Sequence, residues 1–283
     1  MHITPIGSHL GAQITDVKLN NLPPEQFQQI YQAFLQYKVL FFPKQTLLAQ
    51  QHLALARAFG ELEPVHPFFP HLAEADQVIV LEVGPGKPPG KSFWHTDLSW
   101  QAIPCKCSLL HAHACPEGKG DTIWSSMEAV WQSLPVNEQQ QLRNFTALHQ
   151  LHAFEGSRYD SIDHEGNSKV ATASRNIEPV LHPMVIQHPE TGKESLFINE
   201  QFTSHIIGLD PQDSERILTR LFQMARKEEF QVRLQWQVDT LAIWDNRCTQ
   251  HLAITDYGEQ PRRLHRVSVQ GERLLATSLG REK

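Results

Sequence analysis

Apolar positions in the first sixty residues change period twice, and each change marks an element. Short extended stretches over 3–17 come first. After Pro23-Pro24-Glu25, the residues Phe27, Ile30, Tyr31, Phe34 and Leu35 recur at the spacing of a core-facing helix. Val39-Leu40-Phe41-Phe42 is a continuous apolar run ended by Pro43, which reads as a short buried strand. A second helix is expected over 47–59, with Thr46 as its N-cap and Gly60 closing it.

From residue 77 onward strands dominate. The run 78–83 suits a buried strand, and the Gly/Pro-rich stretch 84–91 after it is either a plain connection or a lid over a site. A further strand is expected at 105–110. Ser126 can cap a helix running to 134, and 137–143 makes another short helix. The polar, mixed segment 154–175 reads as a long excursion. Asp210 as cap and Pro211 in the first turn open a helix whose buried stripe is Ile217, Leu218, Leu221, Phe222 and Ala225. Phe230, Val232, Leu234 and Trp236 alternate with polar residues, and 241–244 is the strand that delivers the last block. Periodicity alone therefore predicts an α+β chain with a β core.

Composition narrows the class. With 283 residues, 40% hydrophobic and 20% charged, the chain has apolar material for a full core and the length for one domain over 1–283. A formal net charge of −6 argues against a general nucleic-acid binder. No apolar run reaches the length of a membrane span, and Met1-His2-Ile3-Thr4 lacks the basic-then-apolar order of a secretory signal, so a cytoplasmic protein is expected. Four cysteines are too few for a disulfide framework. Cys105, Cys107, Cys115 and Cys248 lack zinc-site spacing and are expected to pack as small apolar residues. His111 and His113, at i and i+2, are expected as core or rim histidines.

The candidate chemistry lies in Trp94-His95-Thr96-Asp97 and in the later block Trp244-Asp245-Asn246-Arg247-Cys248-Thr249-Gln250-His251. Two imidazoles and a carboxylate, His95, Asp97 and His251, form a 2-His-1-carboxylate set that can hold one face of Fe(II) and leave the other open. On a strand, His95 and Asp97 would share a face while Thr96 points away. His-x-Asp alone is a weak signal in a chain with 16 His. Downstream, Arg262 and Arg266 differ by four and share a strand face, with Arg263 on the other. Two guanidinium forks beside a metal ligand suit an anionic guest, although a solvated basic edge would show the same spacing.

Taken with His66-Pro67-Phe68-Phe69-Pro70-His71, Gly120-Asp121-Thr122-Ile123-Trp124 and Leu196-Phe197-Ile198-Asn199-Glu200-Gln201-Phe202-Thr203, these blocks resemble the taurine dioxygenase and chlorophenoxyacetate dioxygenase family across nearly the whole chain. The resemblance implies a double-stranded β-helix, or jelly roll, with flanking helices. It also implies Fe(II) on His95, Asp97 and His251, with 2-oxoglutarate and O2 as co-substrates. Thr122 and Arg262 match the residues that hold the far carboxylate of 2-oxoglutarate. Arg266 and His66 match contacts to the substrate's sulfonate, and Phe202 a hydrophobic wall of that pocket. Two positions depart: the taurine enzyme has Tyr where this chain has Phe69, and Asn where it has Lys91.

The expected activity is hydroxylation of a small organic anion (a sulfonate, sulfate ester or carboxylate) with release of succinate and CO2. The rivals are a zinc hydrolase using the same three ligands and a non-catalytic binding protein on the same scaffold. The sequence leaves room for a homo-oligomer and does not name the substrate.

Overall fold

In the computed structural model, which describes residues 1–151 and 165–277, apolar strand runs are buried on both faces. The first elements are β1 (His2–Pro5), β2 (Ala12–Thr15), α1 (Pro24–Tyr37), β3 (Val39–Phe42), α2 (Ala49–Phe59), β4 (His71–Leu72), β5 (Ala75–Val83) and β6 (Cys107–Ala114). Then come β7 (Thr122–Ser126), α3 (Met127–Gln132), α4 (Val136–Leu142), β8 (Thr146–His149) and α5 (Lys169–Asn176). Strands β9 (Val180–Pro183), β10 (Val185–Gln187), β11 (Glu194–Leu196) and β12 (Thr203–Ile206) precede α6 (Pro211–Ala225). The chain finishes with β13 (Gln231–Leu234), β14 (Leu241–Asp245), β15 (Thr249–Ala253) and β16 (Arg262–Val269).

Eight strands form the major sheet in the order β1-β2-β3-β14-β6-β16-β5-β4, and a minor sheet runs β13-β7-β15. Only β2–β3 is parallel in the major sheet. Successive side chains alternate faces, so each central strand serves two cores. Leu40, Phe42, Leu109, Ile243 and Val267 pack outward against Ile30 and Phe34 of α1 and Leu53, Ala56 and Phe59 of α2. Val39, Phe41, Leu110, Trp244 and Leu264 point the other way, onto Trp124, Val232 and Trp236 of the minor-sheet side. Trp124 and Trp244 have no exposed surface, and truncating either to Ala would cost about 3–5 kcal/mol. The candidate site opens between these two sheets.

A third layer backs the site. Helices α3, α4 and α6 pack through Val130, Trp131, Leu142, Leu218 and Leu221 onto Leu196, Ile198 and Ile206. Asp210 caps α6 by accepting from the backbone N–H of Gln212 and Asp213, and Ser126 caps α3 through Ala129 N–H, as predicted.

Two expectations need correction. Thr46 does not cap the second helix: its hydroxyl donates to Asp239. The cap is Leu48, whose backbone N–H is satisfied by the side chain of Gln51. The excursion read over 154–175 is shorter at its end, because 169–176 is helical and Ser168 accepts from Ala171 N–H; residues 152–164 lie outside the described residues. Among the described residues no helix is long and apolar enough to cross a membrane.

Candidate active site

His95 and His251 are brought together by the backbone. The two residues exchange both hydrogen bonds of an antiparallel bridge, His95 N–H to His251 C=O at 3.0 Å and the reverse at 2.8 Å. Directly opposed residues of such a pair present side chains to the same face, and the imidazole centroids lie 4.1 Å apart. Thr96 points away, its hydroxyl donating to Thr249 C=O. The motif is thus a single bridge and not a regular strand. After Asp97 the chain turns through Leu98 at φ 56°, a left-handed conformation uncommon for a leucine.

Asp97 Oδ1 lies 3.7 Å from His95 Nε2 and accepts from Arg266 Nη1 at 2.6 Å. Its Oδ2 accepts from Ser108 Oγ at 2.7 Å. One ligand atom each from His95, Asp97 and His251 falls within 4.8 Å of the others. Burial pushes both imidazoles toward the neutral form, and for His251 the neighbouring His95 adds to it. Burial alone would raise the Asp97 carboxyl. The Arg266 guanidinium foremost, with the Ser108 hydroxyl, overcomes it and holds the group well below the usual carboxylate range.

Two neutral imidazoles and an ionised carboxylate are the protonation states a metal site requires. His95 Nδ1 lies 2.8 Å from Phe93 C=O; with the proton assigned to Nδ1, Nε2 keeps its lone pair toward Asp97. His251 Nδ1 is buried without a hydrogen-bond partner among the described residues. This donor set fits a divalent transition metal.

The three groups line a cavity of about 120 Å³ shared with Thr122, Arg262, Arg266, His66, Phe69, Gln201 and Phe202. Arg262, Leu264 and Arg266 alternate onto this cavity, while Arg263 lies on the other face with Glu82. Arg262 Nε donates to Gly120 C=O, and its guanidinium lies over Tyr257. Gly120 has φ 72°, and a Cβ there would come within 3.0 Å of Tyr257 and 3.1 Å of Arg262. Only glycine suits that position. Thr122 Oγ1 accepts from Trp236 Nε1 at 2.9 Å, which leaves the hydroxyl proton free for an acceptor in the cavity.

Arg266 is 7% exposed, and its Nε has no partner among the described residues. A buried guanidinium donor left open costs free energy unless a guest fills it. Its guanidinium lies 5.5 Å from the Phe69 ring. His66 packs between Phe68 and Phe69 at centroid distances of 4.4 and 4.5 Å. Burial, then the Arg266 charge, lower the His66 pKa to about 3, so it is a neutral imidazole at working pH. Phe202 meets the His95 ring edge-to-face at 6.4 Å. The 84–91 stretch closes a turn at Gly84 and Lys87, and its exposed Lys91 reaches the cavity rim. Every predicted site residue therefore borders one cavity.

Sequence reasoning missed Ser108, Asn246 and Gln201. Ser108 lies inside the expected 105–110 strand, and Asn246 and Gln201 lie within the motif blocks, with nothing in their spacing to mark a role. A second His/Asp/Cys group, His188, Asp245 and Cys248, is also buried. There Asp245 accepts from Arg247 at 2.8 and 2.6 Å and from His188 Nε2 at 3.0 Å, which occupies its lone pairs. Burial pushes the Cys248 thiol up and keeps it protonated. Cys105 and Cys107 are fully buried, as expected of packing cysteines.

Residues 2–268 match the family described as "Taurine catabolism dioxygenase TauD, TfdA family". The chain is 33% identical over 282 residues to an alkylsulfatase of Acinetobacter baylyi, covering 96% of this chain and 86% of that protein. It is 32% identical to an alpha-ketoglutarate-dependent sulfate ester dioxygenase of Pseudomonas putida, covering 96% and 90%. A taurine dioxygenase structure from Burkholderia xenovorans superposes with a TM-score of 0.81 at 28% identity, covering 97% of this chain and 92% of that one. With a family match over nearly its entire length, the chain belongs to the TauD/TfdA family of dioxygenases.

Proposed function

We propose that this protein is an Fe(II)- and 2-oxoglutarate-dependent dioxygenase that hydroxylates a small organic anion, with a sulfate ester as the first substrate to test. His95, Asp97 and His251 would hold Fe(II), and Thr122 with Arg262 would grip the far carboxylate of 2-oxoglutarate. Arg266 would anchor the substrate's anionic head, with His66 donating one hydrogen bond and Phe69 and Phe202 walling the hydrocarbon portion. The observation that carries this reading is the metal-type donor set in the same cavity as a buried guanidinium with an open donor.

Fe(II), 2-oxoglutarate and O2 together supply the oxidising chemistry, releasing succinate and CO2 and placing a hydroxyl group on a C–H bond. The chain's own residues supply position and dryness. Arg262, over Tyr257 and tied to Gly120, is fixed in direction before it meets a carboxylate. Thr122, with one lone pair filled by Trp236, can donate to the same group. Arg266 holds the head group so that the adjacent carbon faces the metal ligands. Hydroxylating the carbon bonded to an ester oxygen gives a hydroxy sulfate, which collapses to an aldehyde and inorganic sulfate. A zinc hydrolase would leave Thr122 and Arg262 without a role.

We further read the major sheet and the β13-β7-β15 sheet as the two walls of a double-stranded β-helix, within one domain over 1–283. The relatives named for sulfate esters support that substrate class over taurine, as does Phe69, which lacks a hydroxyl for a polar substrate. Anaerobic loading with Fe(II), 2-oxoglutarate and an alkyl sulfate, then O2, tests the proposal. Succinate, aldehyde and sulfate should appear together, and none of them with Asp97→Ala. Sulfate release without O2 would refute it.

A further inference from the structure

Asp97 is tethered before any metal is bound, and the tether has a direction that can be worked out atom by atom. Asn246 Oδ1 receives two groups that can only donate, Trp244 Nε1–H at 3.0 Å and Asp97 N–H at 3.3 Å. This fixes the orientation of the amide. Its Nδ2 end must then face Ser108 Oγ at 3.1 Å and Cys105 Sγ at 3.2 Å, and it donates to both. Ser108 Oγ thus receives a hydrogen bond and has one proton to give. The Asp97 Oδ2 acceptor at 2.7 Å takes it; Ser268 Oγ, at 3.4 Å, is the longer and weaker alternative.

Ser108, Asn246 and Asp97 are all at least nine-tenths buried, so water does not compete for these bonds. Ser108 sits in β6, paired on one side with β14 and on the other with β16, which fixes its backbone from both flanks. The consequence falls on the other carboxylate oxygen. Oδ1 faces His95 Nε2 and Arg266, and among the described residues its one hydrogen bond is from Arg266.

We propose that Ser108, aligned by Asn246, is a positioning residue that commits Asp97 Oδ2 to the protein and presents Oδ1 alone to the metal. The inference rests on the reading of His95, Asp97 and His251 as the metal ligands. It adds residues from β6 and from the β14–β15 turn that touch neither the metal nor the substrate. Without the Ser108 hydroxyl, only the Arg266 contact to Oδ1 restrains the carboxylate, and Oδ2 can turn toward the metal as well. Partners of this kind commonly account for about 10–100-fold in metal affinity.

The test is Mn(II) binding to the full chain, read as a dissociation constant and as the EPR line shape of the bound ion. Ser108→Ala should weaken Mn(II) binding about 10–100-fold and alter the line shape, with the folded structure kept because the change removes one atom. Ser108→Thr, which retains a hydroxyl, should recover most of the affinity. Ser268→Ala should bind as wild type, since among the described residues that hydroxyl pairs with Ser108 and not with Asp97. Wild-type affinity and line shape in Ser108→Ala, beside a loss of binding in Asp97→Ala, would overturn the role of Ser108 and leave the triad standing. Wild-type affinity in Asp97→Ala would overturn the triad and this proposal with it.

Discussion

Replacing Arg266 by leucine removes the proposed anion anchor and, with it, the cation beside Asp97. The guanidinium is 7% exposed, so little bulk water screens its contact with the head group. A hydrogen bond to a charged group contributes about 1.5–3 kcal/mol, or roughly 10- to 150-fold in affinity. The open Nε donor supplies at least one such bond, and burial favours the upper half of that range. Arg266→Leu should therefore raise the KM for an alkyl sulfate about 45- to 150-fold. Substrate-independent decay of 2-oxoglutarate should persist, because Thr122 and Arg262 are untouched. The same change strips Asp97 of its 2.6 Å cation. The metal-free variant should lose stability, by about 3–5 kcal/mol, because a buried carboxylate has lost its charged partner. Mn(II) should restore much of that loss by replacing the missing positive charge. Steady-state kinetics with succinate detection, with thermal melts with and without Mn(II), measure both effects. An unchanged alkyl sulfate KM, or neutral compounds proving the best substrates, would refute the anchoring role.

Other outcomes follow from the same geometry. Arg262→Ala should raise the 2-oxoglutarate requirement about 10- to 100-fold while Mn(II) affinity stays near wild type; an unchanged requirement moves that role to another arginine. Gly120→Ala forces a side chain into a φ of 72° beside Tyr257 and Arg262, so it should lower the melting temperature and raise the 2-oxoglutarate KM together. Burial raises the Glu63 carboxyl to about 7. A carboxyl whose folded pKa exceeds its unfolded value contributes stability that is full below about 4.5 and is lost as pH rises through 7. Glu63→Gln should therefore flatten the pH dependence of unfolding between those values and leave the variant the more stable above pH 7. Urea titrations across that range check it, and an unaltered pH slope would contradict it.

The helices and the shared face of Arg262 and Arg266 were legible in the sequence for the same reason: both depend on short-range spacing. Phe27, Ile30 and Phe34 mark α1 by period, and Asp210-Pro211 marks the start of α6. Arg262 and Arg266 declared their common face through the two-residue alternation of β16. What spacing could not give was the pairing of distant strands. The opposition of His95 to His251, which sets the imidazoles side by side, is a long-range bridge invisible to any local pattern. Ser108 was hidden for a related reason. In a strand buried on both faces a serine is indistinguishable from a small packing residue until its neighbours are known, and here they come from Asp97 and Asn246. Thr46 shows the converse failure: its type suited a cap, but Asp239 claimed its hydroxyl and Gln51 satisfied the helix instead.

In the proposed reaction this cavity couples oxidation of 2-oxoglutarate to oxidation of an organic anion. Turnover of an alkyl sulfate under ¹⁸O2 by the Fe(II)-loaded protein tests it most directly. Coupled turnover places one ¹⁸O atom in the succinate and forms sulfate and aldehyde in equal amounts to it. Sulfate released without succinate, with its new oxygen drawn from water, would contradict it.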